Sequence, residues 1–116
     1  MIGNCRLMYD ERWKRGMELF NEEEFFECHE VLEDLWLTTQ DGYKDLYKGI
    51  IQSAVALYHL ERGNLRGAEK LCRTSRRYLV KYPLRVLGLN LEKLCEDMKT
   101  CFEFKEYKIP KLDFTL

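Results

Sequence analysis

The segment from about residue 43 to residue 61 is apolar on nearly all of its sides, and this feature constrains the fold more than any other. At helical spacing its large apolar side chains fall on one face, while Gly49, Ser53 and Ala56 place small side chains on a second face. A helix with two buried faces lies inside a bundle rather than on its surface. We therefore expect a central helix that other helices approach closely.

Four further segments repeat their apolar residues every three to four positions, which is typical of amphipathic helices. They cover about residues 9–20, 22–37, 65–82 and 90–104. Period-two alternation is absent, so no strand is expected, and the tail from about residue 107 to residue 116 is expected to be irregular. The sequence predicts an all-α fold, a compact bundle of about five helices that forms a single domain over residues 1–116.

Four short stretches separate the predicted helices, and residues 38–42 form the turn between the second and the third. Asn21 is the expected break after the first helix, and the acids at 22–24 are expected to open the second, because negative charge suits the start of a helix. Gly63 suits the left-handed end of the third helix, and Asn64 can cap the fourth. Pro83 is expected to end the fourth helix.

Two of the predicted helical hairpins match each other at an offset of 40 residues. The aligned pairs are Phe20 with Leu60, Phe25 with Leu65, and Leu32 with Cys72. This arrangement is similar to tetratricopeptide-like repeats, in which each helical hairpin stacks on the next. We expect the bundle to contain hairpins of this kind.

The composition excludes several classes of protein. The formal net charge is −1, so the chain as a whole is not a polycation that binds nucleic acids or membranes. The five cysteines are odd in number and form no CxxC pair, which excludes zinc-ribbon and thioredoxin-like motifs. We expect reduced thiols and a cytoplasmic protein. No signal-peptide pattern is present, and no apolar run reaches the ~18 residues of a membrane span.

Residues 25–36 hold the most specific candidate site. His29 falls on the apolar side of the predicted helix, and Glu33 lies one turn later at the edge of that side. A buried imidazole needs a hydrogen-bonding partner, and a carboxylate four residues away can supply it. Three interpretations remain open: a structural polar network, which is favoured, a ligand-binding pocket, and a metal or catalytic site.

The spacing of His29 and Glu33 resembles half of a zinc-protease helix, in which a second histidine would stand where Glu33 does. A di-iron helix carries a glutamate three residues before its histidine, and here that position is Phe26. No metal or other cofactor is therefore predicted, and any bound metal would use His29 and Glu33. A metal-dependent hydrolase with Glu30 or His59 assisting is the alternative.

Three further side chains are candidates for a groove beside this pair. Trp36 lies on the same helix, while Gln52 and His59 share the polar stripe of the central helix. If the second and third helices form an antiparallel hairpin, that stripe approaches His29, although the sequence does not fix the register. The candidate pocket consists of His29, Glu33, Trp36, Gln52 and His59.

Charge is segregated along the chain. Residues 16–43 contain no Lys or Arg, and their acids are Glu18, Glu22, Glu23, Glu24, Glu27, Glu30, Glu33, Asp34 and Asp41. The fourth helix is basic, and one stripe of it carries Arg66, Lys70, Arg73, Arg77 and Lys81. A solvated face that pairs with acidic helices of the same or a second copy is the favoured interpretation. It leaves self-association open and makes nucleic acid the less favoured partner, with RNA binding as an alternative function.

Two segments carry a family resemblance. The first joins residues 19–21 to 25–36, and the second joins residues 49–59 to 62–68. Together they resemble an all-helical family catalogued as domain of unknown function 309. The resemblance implies a small helical bundle with an acidic, histidine-bearing motif, and no particular reaction, substrate or cofactor. The motif positions carried over are Glu27, His29, Glu30, Glu33, Trp36, Gln52, His59 and Asn64.

The family usually has a glycine near the first helix break, where this chain has Glu23 and Glu24. This departure affects the expected turn and not the resemblance. Taken together, the sequence predicts a helical binding or interaction module whose partner is a protein or a small molecule. Glu27, Glu30 and Asn64 are secondary candidates for its site.

Overall fold

The helices of the computed structural model, which describes residues 9–116, follow the predicted apolar periodicity. They are α1 (Glu11–Asn21), α2 (Phe25–Thr38), α3 (Lys44–Glu61), α4 (Leu65–Leu79) and α5 (Leu91–Glu103). The radius of gyration is 13.7 Å, close to the ~13 Å of a compact 100-residue domain. The prediction of an all-α bundle of about five helices is confirmed.

Helix α3 lies between α2 and α4 and packs most extensively against α4. Close packing depends on Gly49, where an added Cβ would lie 2.4 Å from Leu79 Cδ2. The hydroxyl of Ser53, on the same buried face, donates to the carbonyl oxygen of Gly49 at 3.0 Å. The small-residue face of the central helix therefore sets how near α4 can come.

The turns before α2 and α4 have the same backbone shape. Glu23 has a φ of 61° and Gly63 a φ of 80°, and the residues after them, Glu24 and Asn64, are the N-caps. The buried residues of α2 and α4 also match at the offset of 40: Cys28 with Ala68, Leu32 with Cys72, Leu35 with Ser75. The structure thus contains two equivalent helical hairpins, α1–α2 and α3–α4.

The expectation that residues 22–24 open the second helix is wrong. Glu22 is the C-cap of α1, Glu23 occupies the left-handed turn, and Glu24 precedes the first helical residue, Phe25. Asn64 does cap α4, because its side-chain oxygen accepts from the backbone N–H of Gly67 at 3.0 Å. Glu24 makes no corresponding side-chain hydrogen bond at the start of α2.

The fourth helix ends at Leu79 rather than at residue 82. Tyr82 instead supports the start of α3: its hydroxyl donates to the carbonyl oxygen of Gly42 at 2.6 Å and accepts from the N–H of Leu46 at 3.0 Å. Tyr82 therefore joins the two ends of the α3–α4 hairpin.

A short hairpin follows, formed by β1 (Arg85–Val86) and β2 (Leu89–Asn90). Its turn residues Leu87 and Gly88 both have positive φ, which is the geometry of a tight type I′ turn. The expectation of no strand is wrong here, because strands of two residues carry no alternation that a sequence pattern could reveal.

The C-terminal tail is mostly irregular and packs on the rest of the fold. The side-chain amide of Asn21 donates to the carbonyl oxygen of Leu112 at 2.9 Å and accepts from its N–H at 2.6 Å. Leu112 is buried, and Phe114 forms an isolated bridge to Leu89. Asn21, at the break after α1, therefore also fixes the C-terminal tail to the rest of the fold.

Four cysteines lie in the described part of the chain, and all four are free thiols: Cys28, Cys72, Cys95 and Cys101. Burial raises the pKa of each of these thiols, and that of Cys28 to about 12. The prediction for Cys5 falls outside the described residues. No helix within residues 9–116 combines the length and apolarity that crossing a membrane requires.

Candidate functional site

His29 and Glu33 lie one turn apart on α2, as their spacing requires. The His29 Nε2 and Glu33 Oε2 atoms are 3.7 Å apart, within range of an ion pair but longer than a hydrogen bond. The side chains are 26% and 48% exposed. The pair therefore sits at the rim of the packed face of α2, in contact with solvent, and not inside the core.

Aromatic rings extend from His29 across to α3. The ring of Phe26 lies 5.8 Å from that of His29 and 5.8 Å from that of Tyr58, measured between centroids. The guanidinium carbon of Arg62 lies 5.2 Å from the centre of the Tyr58 ring. Phe26 is nevertheless 51% exposed, so this row of rings is a surface feature. Neither Phe26 nor Tyr58 is among the site residues predicted from the sequence.

Trp36 lies toward the other end of α2, and two lysines of α3 cover its ring. The Nζ atoms of Lys44 and Lys48 are 4.4 and 4.5 Å from the ring centre. Lys44 also donates to the carbonyl oxygens of Trp36 and Thr39, and so satisfies the end of α2. Both ammonium groups form cation–π contacts with the ring. Trp36 therefore links α2 to α3 and is not an open platform for stacking.

Gln52 and His59 do not join His29 and Glu33 through any hydrogen bond in residues 9–116. The side-chain oxygen of Gln52 is buried and has no partner among the described residues. His59 is partly buried near the end of α3, with its ring 6.2 Å from that of Tyr58. Of the five predicted pocket residues, the structure brings His29 and Glu33 into direct polar contact.

The three secondary candidates lie in two places. Glu27 and Glu30 are exposed on the outer side of α2 and make no ion pair with residues 9–116. Asn64 caps α4 and so has a structural role.

Nothing in the described part of the chain groups three or more His, Cys, Asp or Glu side chains around a point where a metal ion could bind. His29 and Glu33 supply two donors. A catalytic zinc site uses three protein ligands. A hydrolase built on this pair therefore requires a third protein ligand in addition to His29 and Glu33.

The outer side of α2 carries a continuous line of exposed side chains, Phe26, Glu30, Glu33 and Leu37, which we call the α2 face. Phe26 is 51% and Leu37 61% exposed, so large apolar groups stand at both ends of an acidic centre. His29 lies beside this centre, and a shallow open depression runs from His29 to Leu37. All of its lining belongs to α2, so it is a surface and not an enclosed pocket.

Helix α4 is basic at the four equivalent positions, so that Lys70 and Arg73 correspond to the acids Glu30 and Glu33 of α2. Its exposed residues Arg66, Lys70, Arg73 and Arg77, which we call the α4 basic stripe, align with the four residues of the α2 face at the offset of 40. None of the four forms an ion pair with a carboxylate of residues 9–116. Lys81, predicted to extend this stripe, lies beyond the end of α4 and pairs with Asp45.

Comparison with known proteins places these helices in a family. The chain is 41% identical over 83 residues to the "Uncharacterized protein YpuF" of Bacillus subtilis (strain 168), and the matched segment covers 69% of this chain and 48% of that protein. It is 26% identical over 98 residues to an "Uncharacterized protein" of Aquifex aeolicus (strain VF5), covering 84% and 29%. The chain thus spans half or less of these relatives. The family model described as "Domain of unknown function (DUF309)" matches residues 13–71, from α1 into α4, and the chain therefore belongs to this family.

Proposed function

We propose that the chain is a protein-interaction module and that the α2 face is its contact surface. The observation that carries this proposal is the exposure of Phe26 and Leu37, at 51% and 61%, on one line of a helix whose other side is fully packed. Large apolar side chains that the fold leaves exposed are candidates for the anchors that a partner protein buries. Phe26 keeps this exposure even though its ring contacts those of His29 and Tyr58.

The energetics favour a helical protein segment as the occupant. Full burial of a Phe or Leu side chain contributes roughly 1.5–3 kcal/mol, so the exposed half of each anchor can add about 1 kcal/mol. Phe26 and Leu37 are eleven residues apart, or roughly 16 Å along the helix axis at about 1.5 Å per residue. A partner helix of three to four turns spans that distance and contacts both ends.

The charges on α2 define the chemistry of the partner. Glu30 and Glu33 stand between the two anchors, and Glu27 and Asp34 are exposed beside them. Such a surface favours Lys or Arg opposite it and disfavours acidic partners, which gives selectivity more than affinity. We therefore expect a basic amphipathic helix. A small molecule fits less well, because ligand sites bury most of their ligand and this surface is open.

The test uses a designed helical peptide with two leucines eleven residues apart and arginines between them. Titrated into the ¹⁵N-labelled protein, it should shift the amide resonances of α2 and of the facing part of α3. A Phe26→Ser, Leu37→Ser variant should bind about tenfold or more weakly, which corresponds to the loss of about 1.4 kcal/mol or more.

The control variant is Phe104→Ser with Leu84→Ser, which removes one Phe and one Leu that are 65% and 62% exposed elsewhere. It should bind as the unmodified chain does. A second peptide with glutamates in place of the arginines should bind more weakly. Equal binding by both variants, or shifts confined to other helices, would rule out the α2 face as the contact surface.

A further inference from the structure

We propose that the partner of the α2 face is a second copy of this chain, which docks through its α4 basic stripe. This inference rests on the proposed function, since it names an occupant for the same surface. The contact joins two different faces, the α2 face of one copy and the α4 stripe of another. Each bound copy therefore keeps one face free for a further copy.

The two surfaces match in length. The α2 face runs from residue 26 to residue 37, and the α4 basic stripe runs from residue 66 to residue 77. Both therefore extend roughly 16 Å along their helices, at about 1.5 Å per residue. Because the α1–α2 and α3–α4 hairpins are equivalent, the two surfaces also project from corresponding positions of the two hairpins.

Their charges are complementary and are not neutralised within one molecule. Arg76 and Lys81, which border the stripe, pair with Glu103 and Asp45, whereas the four stripe residues pair with no carboxylate of residues 9–116. On α2, the same holds for Glu27 and Glu30. With a net charge of −1, two copies approach each other without strong overall repulsion.

Apolar side chains also lie at both ends of the α4 stripe. Leu65 precedes it at 38% exposure, and Val80 follows it at 68% exposure. Contact of either side chain with Phe26 or Leu37 would exclude water from that end of the interface. Exposed ion pairs contribute little free energy each, so the charges select the partner while the apolar side chains supply most of the free energy.

The phosphate backbone of RNA is the competing occupant of the stripe, and the structure favours it less. No aromatic ring occupies a stripe position on which a base could stack. The acidic side chains of α2 repel a polyanion, and the net charge does not attract one. A surface of matching length and opposite sign on the same chain is the better complement.

Sedimentation velocity over protein concentrations from about 10 µM to about 1 mM tests the proposal, because an interface of this size predicts weak binding. At roughly 50 mM salt the weight-average mass should rise with concentration, and at roughly 500 mM salt association should weaken about tenfold. A chain that stays monomeric throughout this range at low salt would refute self-association. The peptide titration described above would still decide the proposed function separately.

Charge reversal identifies the surfaces. Lys70→Glu with Arg73→Glu should abolish association, as should Glu30→Lys with Glu33→Lys. The chain with all four changes should associate again, because the complementarity is restored with the signs exchanged. Failure of that chain to associate while both pairs of changes abolish association would refute the direct contact between α2 and α4.

Two controls complete the design. Glu92→Lys with Glu96→Lys reverses two exposed acids of α5, matches the charge change on α2, and should leave association unchanged. A single-stranded oligouridylate is added to the unmodified chain in parallel. The stripe would be assigned to RNA instead by two results together. The free protein would be monomeric, and the unmodified chain would bind this RNA tightly and with a steep salt dependence, while the Lys70→Glu, Arg73→Glu variant would not.

Discussion

Glu23 and Gly63 occupy equivalent left-handed turns, and this pairing allows the cost of the first turn to be measured. A left-handed conformation costs an L-residue roughly 1–2 kcal/mol, while glycine loses roughly 0.4–1 kcal/mol more conformational entropy on folding than alanine. The difference between these two contributions makes the fold with glycine about 1 kcal/mol more stable than the fold with alanine at both positions. At Gly63 a Cβ would meet no atom within 4 Å, so no steric clash adds to this figure.

Three variants isolate the backbone contribution. Gly63→Ala should lower the free energy of unfolding by about 1 kcal/mol, or the melting temperature by about 4 °C. Glu23→Ala removes the 3.1 Å ion pair with Lys111, an exposed pair worth at most about 1 kcal/mol. Glu23→Gly removes the same pair but relieves the backbone, so it should be about 1 kcal/mol more stable than Glu23→Ala.

Urea unfolding followed by far-ultraviolet circular dichroism measures these differences, with m-values expected to stay constant. Gly42→Ala is the matched control: Gly42 also has open space around its Cβ position, but it lacks a positive φ. Alanine there should stabilise the fold by roughly 0.4–1 kcal/mol. If alanine equals or exceeds glycine in stability at residues 23 and 63 as well, the two turns do not carry the strain inferred for them.

Three other perturbations test how the fold is held together. Gly49→Ala places a methyl group against Leu79 and should cost roughly 1–3 kcal/mol in unfolding experiments, despite the higher helix propensity of alanine. Asn21→Ala removes both hydrogen bonds to the C-terminal tail, so hydrogen exchange of the tail amides should accelerate, and roughly 1–3 kcal/mol of stability should be lost. Hydrogen bonding to a guanidinium lowers the pKa of Asp10 below its usual 3.8. The stability from Asp10 is thus present above that value and lost as pH falls below it, so Asp10→Asn should flatten the acid side of the stability profile.

The buried faces could be predicted from sequence because helical periodicity is a local property. Cys28, Leu32 and Leu35 fall on one side of any helix through these positions, and the structure buries all three. The turn at Gly63 was equally readable, since glycine marks a left-handed residue. The equivalent turn at Glu23 was not, because glutamate gives no such signal.

The surroundings of the site depend on how α2 and α3 align, and no local pattern determines that register. The approach of His29 to Glu33 follows from their spacing alone. The contact of Phe26 with Tyr58, and the two lysines on Trp36, depend instead on the geometry of the loop between the helices and on packing. A helical wheel of α2 could have revealed its exposed Phe26 and Leu37, since both fall on the outer line of that helix.

The charges of the α4 basic stripe work against the stability of the helix that carries them. Successive residues of the stripe stand three or four positions apart, and each such like-charge pair destabilises a helix by roughly 0.2–0.5 kcal/mol. A local feature that opposes folding is more often explained by function than by packing. Lys70→Glu with Arg73→Glu creates opposite-charge pairs with Arg66 and Arg77. This variant should therefore be at least as stable as the unmodified chain in urea, even though it no longer associates. If it instead lost both stability and association, the stripe would be supporting the fold, and the inference that these cations serve a second molecule would fail.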